Sequence, residues 1–362
     1  MMRRVLWLTV AVLAFIPALQ AQDLMDWLQD AASSSGESTV DSTSTDSAGL
    51  LTLEPGESEM YPRISPDGKH LLVVSGKGRK QVVTQRLIEN GDPVNLVSEN
   101  DPLVLDSIAW FGNDTVTFLS YRADSLGLWE KPVNGGVIRR YKRLDGEIRS
   151  PIVLGEGNVI AVRLRLAPKR AMAAAHKRMG VDFNNWQVRG KQSNLVRISE
   201  NGAEQELASG TNPALSPDGK RLVFTMQEDR YWHLFMMNVD GTGLIQLTEG
   251  HHIDVQPTWS PDGKWIAFTS NRAKQRALNH PDKDRQSGRV NWDIWLIDHD
   301  GRGLTRLTRD NARDGAPAIA GNGRVYFHSD RKVGKENSRL HQVRGWVKGF
   351  HIWSVELPAK VS

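Results

Sequence analysis

Ser260-Pro-Asp-Gly-Lys264 runs straight into Trp265-Ile-Ala-Phe-Thr269. The same pattern occurs at Ser216-Pro-Asp-Gly-Lys220 before Arg221-Leu-Val-Phe-Thr225, and at Ser65-Pro-Asp-Gly-Lys69. Each copy follows a proline three residues before its serine: Pro257, Pro213 and Pro62. The runs behind the turns are β-rich and roughly alternating, so they are strands. The turn has a physical basis. Proline presets φ at the first corner, Asp accepts from nearby backbone N–H groups, and Gly takes the left-handed position that a Cβ resists.

Working outward, degenerate copies fill the gaps between these three. They are Trp110-Phe-Gly-Asn-Asp114, Val153-Leu-Gly-Glu-Gly157 and Ile319-Ala-Gly-Asn-Gly323. Aligned on the turn, the anchors are Asp67, Asn113, Glu156, Asp218, Asp262 and Asn322, spaced by 46, 43, 62, 44 and 60 residues. A four-stranded propeller blade needs about 40–45 residues. Six anchors therefore predict an all-β, six-bladed β-propeller with insertions in the two long spacings.

The second half of the repeat is also legible. Trp292-Asp-Ile-Trp-Leu-Ile-Asp-His-Asp-Gly-Arg-Gly-Leu-Thr-Arg-Leu-Thr308 reads strand, Asp-Gly turn, strand, and His233 to Thr248 repeats it. The last repeat ends at His351-Ile-Trp-Ser-Val-Glu-Leu357 without an outer strand. The stretch Leu50-Leu-Thr-Leu53 stands before Tyr61-Pro62 as Gln246-Leu-Thr248 stands before Gln256-Pro257. The N-terminal segment is therefore predicted to close the last blade, leaving only short outer edges.

Three near-perfect SPDGK turns, an aromatic-containing strand, Asp-Gly-x-Gly and Leu-Thr together resemble the WD-like repeat of TolB-type propellers. The resemblance covers Leu50 to Leu357. It implies a propeller of the cell envelope that binds partner proteins. The family has an α/β domain before the propeller; in this sequence an acidic Ser/Thr-rich stretch occupies that place.

Arg3 and Arg4, the apolar run Val5 to Ile16 and Pro17 read as a secretory signal cut after Ala21. The expected organisation is signal 1–21, acidic linker 22–49 and propeller 50–362. The linker reading rests on nine acidic residues and no Lys or Arg between Asp23 and Met60. The chain lacks cysteine, which excludes disulfides, thiolate metal sites and a lipid-anchored N-terminus. An exported chain is expected, periplasmic or, alternatively, secreted, with no integral membrane span and with a monomeric state.

With strands labelled a to d from the axis outward, the SPDGK turns join a to b on one face. The b–c loops lie on the other. Three long b–c loops, 166–191, 271–290 and 331–349, carry net charges of +5, +4 and +5. They predict a basic face that engages an acidic protein segment or polyanion. Nucleic acid is not expected as a partner. The first loop reads as a short basic amphipathic helix between Pro168 and Gly180. Candidate binding residues are Lys169, Arg170, His176, Lys177, Arg178, Trp186, Arg189, Arg272, Arg276, Arg289, Trp292, Arg331, Lys335, Arg344 and Trp346.

Catalytic signals are sparse. No nucleophile elbow is present, and Asp298-x-Asp300-Gly301-x-Gly303 is a repeated c–d turn rather than a calcium loop. The expected function is non-catalytic binding or scaffolding, with no cofactor and no resident metal. His251, His252 and Asp254 are the weak candidates for metal ligation. The alternatives are a propeller that binds or cleaves an acidic polysaccharide, and a structural component of envelope assembly.

Overall fold

The structure is a computed structural model. It describes residues 46–358 apart from 54–56, 78–79, 89–91, 98–102, 105–106, 167–182, 184–185, 187, 189, 274–290 and 334–348. The compact unit that contains the propeller runs from Thr45 to Ser362.

A short strand, β1 (Gly49–Leu50), comes first and belongs to the last blade. Blade one is β2 (Ser58–Ile64), β3 (His70–Lys77), β4 (Lys80–Leu87) and β5 (Val94–Val97). Blade two is β6 (Ala109–Phe111), β7 (Thr115–Ser120), β8 (Gly127–Pro132) and β9 (Arg139–Arg143). Blade three is β10 (Glu147–Gly155), β11 (Asn158–Leu166), β12 (Lys191–Ile198) and β13 (Glu204–Ser209). Blade four is β14 (Thr211–Leu215), β15 (Arg221–Glu228), β16 (Tyr231–Asn238) and β17 (Ile245–Gln246). Blade five is β18 (Asp254–Trp259), β19 (Trp265–Ser270), β20 (Asp293–Asp298) and β21 (Thr305–Arg306). Blade six is β22 (Asp314–Ile319), β23 (Arg324–Ser329) and β24 (His351–Glu356), completed by β1. The six sheets are antiparallel and four-stranded, so the fold is the expected six-bladed propeller.

The turn chemistry recurs almost atom for atom. In the three SPDGK copies the serine hydroxyl donates to the Asp two residues on, and the backbone N–H of His70, Arg221 or Trp265 donates back to that hydroxyl at 2.9 Å. Gly68, Gly219 and Gly263 take φ values of +73°, +72° and +72°, the left-handed region where a side chain is strained.

The outer-strand junction is equally regular. The hydroxyls of Thr248, Thr308 and Thr52 accept the backbone N–H of Leu234, Ile294 and Ile352 at 2.9, 2.9 and 3.2 Å. Closure by the N-terminal segment therefore follows the register of the Leu-Thr repeat. Gly49 pairs with Ser354 and Leu50 with Trp353, while Leu51 and Thr52 bond the carbonyl of Ile352. One boundary is corrected. Residues 46–49, assigned to the linker from sequence, belong to the ring, because Asp46 bonds Arg331 and the backbone of Arg309. The rest of the linker and the signal segment lie outside the described residues.

Each inner strand except β6 carries a bulge at the residue before its proline. Tyr61, Ser150, Asn212, Gln256 and Ala316 hold φ between +44° and +56°, and the pairing register shifts at the same places. A branched or bulky residue there is strained, and such strain persists only where surrounding structure imposes it. Here it forms a ring around the axis.

Candidate functional site

The axial channel differs at its two ends. On the a–b turn face it is a cavity of about 480 Å³. Pro66, Pro217 and Pro261 of the SPDGK turns stand in its wall with Ile64, Ile108, Ile152, Leu215 and Trp259. Asn212, Gln256 and Thr258 add polar groups, and Arg63 is the one charged side chain among the described lining residues. The Arg63 guanidinium donates to the carbonyl of Pro62 at 3.1 Å. Two tryptophans brace the wall: Trp110 Nε1 donates to the Arg63 carbonyl at 3.0 Å, and Trp259 Nε1 to the Ala214 carbonyl at 3.1 Å.

The other end is filled by aromatics. Phe183 stacks on Phe350 at 5.8 Å and meets Trp186, Trp292 and His328 at 6.0, 5.6 and 5.5 Å. Arg313 caps Phe350 at 4.8 Å and Phe183 at 5.6 Å. His328 accepts the Tyr61 N–H on Nδ1. Burial, with Arg63 and Arg313 nearby, pushes its pKa down to about 3, so it stays neutral. Gly315 makes the plug fit: a Cβ there would stand 2.6 Å from Phe183 Cε2.

Trp186 and Trp292 are buried in the plug rather than offered to a ligand, because the channel end gives them more apolar surface than the loops do. Arg272 is committed to Asp254 at 2.6 Å, and its guanidinium lies 5.2 Å from the rings of both Phe268 and Trp295. Arg331 is buried and paired with Asp314 at 2.6 Å and with Asp46. These two arginines neutralise buried carboxylates. Lys169, Arg170, His176, Lys177, Arg178, Arg189, Arg276, Arg289, Lys335, Arg344 and Trp346 lie outside the described residues, as does the expected helix.

The junctions between blades carry chemistry that sequence reading missed. Three residues before the proline, blades five, six and one present Asp254, Asp314 and Glu59, all buried. Facing them from the preceding blade are His233, Asp293 and His351, the residues after Trp232, Trp292 and Phe350. Glu59 pairs with His351 at 3.1 Å. Asp293 pairs with Arg306 at 3.0 Å. Burial pushes the Asp293 carboxyl up to about 7, with Arg306 opposing and Asp314 adding to the rise. Ligand atoms of His233, His252 and Asp254 gather within 4.8 Å of one another. The third metal-type residue is thus His233, not His251, whose ring stacks on Tyr231 at 5.3 Å. Aligning the first residues of each c strand would have found these pairs.

Residues 203–285 match the family described as TolB beta propeller domain. That stretch of the chain is similar to a TolB-type propeller domain. A Tol-Pal system protein TolB of Anaeromyxobacter dehalogenans is 48% identical over 44 residues, 12% of this chain and 10% of that protein. An uncharacterized protein of Agrobacterium fabrum is 30% identical over 93 residues, 26% of each chain. An uncharacterized peptidase, YuxL of Bacillus subtilis, is 26% identical over 155 residues, 37% of this chain and 24% of that one. The chain thus spans about a quarter or less of these relatives. Among solved structures, a TolB from Agrobacterium tumefaciens superposes with a TM-score of 0.52 at 13% identity, over 86% of this chain and 97% of that one. That likeness shows the propeller fold. Among the described residues no helix is long and apolar enough to cross a membrane.

Proposed function

We propose that this chain is a non-catalytic binding protein of the cell envelope that receives an extended, acidic partner segment in the funnel on its a–b turn face. The observation that carries this reading is the funnel itself. Its volume of about 480 Å³ falls in the range of ligand sites, its wall is mostly apolar, and the one charged side chain among its described lining residues is Arg63. Nucleophilic chemistry needs a base beside the nucleophile. Among the lining hydroxyls, those of Ser65, Ser107 and Ser260 are instead tied to Asp67, the Val104 carbonyl and Asp262 in turns. The exported compartment expected from the first 21 residues, and a relative named as a Tol-Pal system protein, support an envelope protein as partner.

Peptide-library selection on the purified protein tests the reading. Selected peptides are expected to be rich in Asp and Glu and to bind Arg63→Glu on the order of tenfold more weakly or worse. Selection of basic or purely apolar peptides, or unchanged binding to Arg63→Glu at equal folding, contradicts it.

A second reading places the acidic partner on the basic b–c face, outside Lys169, Arg170, Lys177 and Arg178. Its support is the charge of the three long loops, +5, +4 and +5. Reversal of those four residues to Glu would abolish binding under this reading and leave it intact under the first.

A further inference from the structure

At the junction of blades four and five, His233 projects from β16, Asp254 opens β18, and His252 comes from the connection between β17 and β18. One ligand atom from each falls within 4.8 Å of the others. His233 is 4% exposed and Asp254 0%. His233 Nδ1 and Asp254 Oδ1 are both buried without a hydrogen-bond partner, and His252 Nε2 lies 3.2 Å from Asp254 Oδ2. Leaving a buried donor or acceptor unpaired costs about 1–3 kcal/mol. Two such atoms converging beside a third ligand mark a place that another group completes.

We propose that His233, His252 and Asp254 form a binding site for one divalent transition ion of the zinc class. Two imidazoles and one carboxylate match the nitrogen-rich donor set that zinc takes, with a fourth position left for water or a ligand. Calcium and magnesium want oxygen donors and are disfavoured here.

The surroundings fit that role. Arg272 bonds Oδ2 of Asp254 and leaves Oδ1 for the metal, the outer-shell arrangement that orients a ligating carboxylate. The guanidinium lies 5.2 Å from the rings of both Phe268 and Trp295, whose faces attract its charge. Gly250 clears room for the His252 ring, since a Cβ there would stand 2.7 Å from His252 Cε1. The neighbouring junction shows what a closed version looks like. There Asp293 and Ala312 stand in the places of His233 and His252, and the carboxylates are met by Arg306 and Arg331.

The test is titration of the chelator-treated full-length protein with ZnCl2, and with CoCl2 as a spectroscopic reporter. One equivalent of zinc is expected, with a raised Tm and the visible bands of four-coordinate cobalt. His233→Gln and His252→Ala should each lose on the order of a hundredfold in affinity, since disturbing outer-shell partners alone costs 10–100-fold. His251→Ala, outside the cluster, should bind as the parent does. Substoichiometric zinc, affinity unchanged in His252→Ala, or an equal loss in His251→Ala overturns the proposal. Because His252 is partly exposed, its variant decides the matter even if the buried His233 variant fails to fold.

Discussion

The carboxylate of Asp46 closes on the guanidinium of Arg331 through two bonds, Nη1 to Oδ1 at 2.5 Å and Nη2 to Oδ2 at 2.9 Å. The same guanidinium holds Asp314, 268 positions away from Asp46 in sequence, on its other side. A residue just before the closing strand is thereby linked, through the connection that follows the second strand, to the inner strand of blade six. Burial would raise the Asp46 pKa, but Arg331 and the N–H groups of Arg309 and Ala48 hold it below the usual carboxylate range.

Asp46→Ala is expected to destabilise the ring by about 1.5–3 kcal/mol, the worth of charged hydrogen bonds, since Arg331 retains Asp314. Deletion of residues 1–44 should leave Tm unchanged, and deletion through Gly49 should lower it. Equal thermal midpoints for the two deletions would show that the Asp46 pair contributes nothing. Because the folded pKa of Asp46 is depressed, its contribution is present above the unfolded carboxylate pKa and is lost as pH falls through the folded value.

Asp293 works with the opposite sign. Three carboxylates, Asp46, Asp293 and Asp314, share this buried cluster with two guanidiniums, Arg306 and Arg331, so one proton balances the charge. With a folded pKa of about 7 against the ordinary value of 3.8, Asp293 holds a proton that the unfolded chain has released across that window. Stability should therefore fall as pH rises from about 4 to 7. Asp293→Asn should flatten this decline and raise Tm by at least a few degrees at pH 8, at roughly 2–4 °C per kcal/mol. A variant whose Tm profile parallels the parent's would place the proton elsewhere.

Gly315→Ala should displace Phe183 from the plug. The overpacking is expected to cost about 1–3 kcal/mol. Trp186 and Trp292 should become accessible, read as a red shift of tryptophan emission and stronger acrylamide quenching. Unaltered quenching in a destabilised variant would mean that the plug adjusts without opening.

How much of this was legible in the sequence follows from where its information is local. The SPDGK turns are five-residue devices whose bonds lie within the motif, so Ser65, Ser216 and Ser260 announce their geometry directly. The Leu-Thr repeat at Leu51-Thr52 gave the closing register, because the threonine hydroxyl accepts the same backbone N–H in three blades. The site was less legible, because it is made between blades. Arg272 and Arg331 read as free charges in basic loops, yet each neutralises an Asp 17 or 18 positions earlier, across the sheet. Trp186 and Trp292 read as loop aromatics, yet the empty end of the channel takes them in. His233 lies inside an apolar strand and acquires chemistry only through the next blade.

Hydrogen-exchange footprinting of the protein with a selected acidic peptide bound tests the central claim most directly. Protection is expected at the funnel wall, in segments containing Arg63 to Ser65, Ile108, Ala214 and Thr258 to Ser260. Protection confined to the opposite face, in 166–191, 271–290 and 331–349 with the funnel segments unchanged, would contradict it.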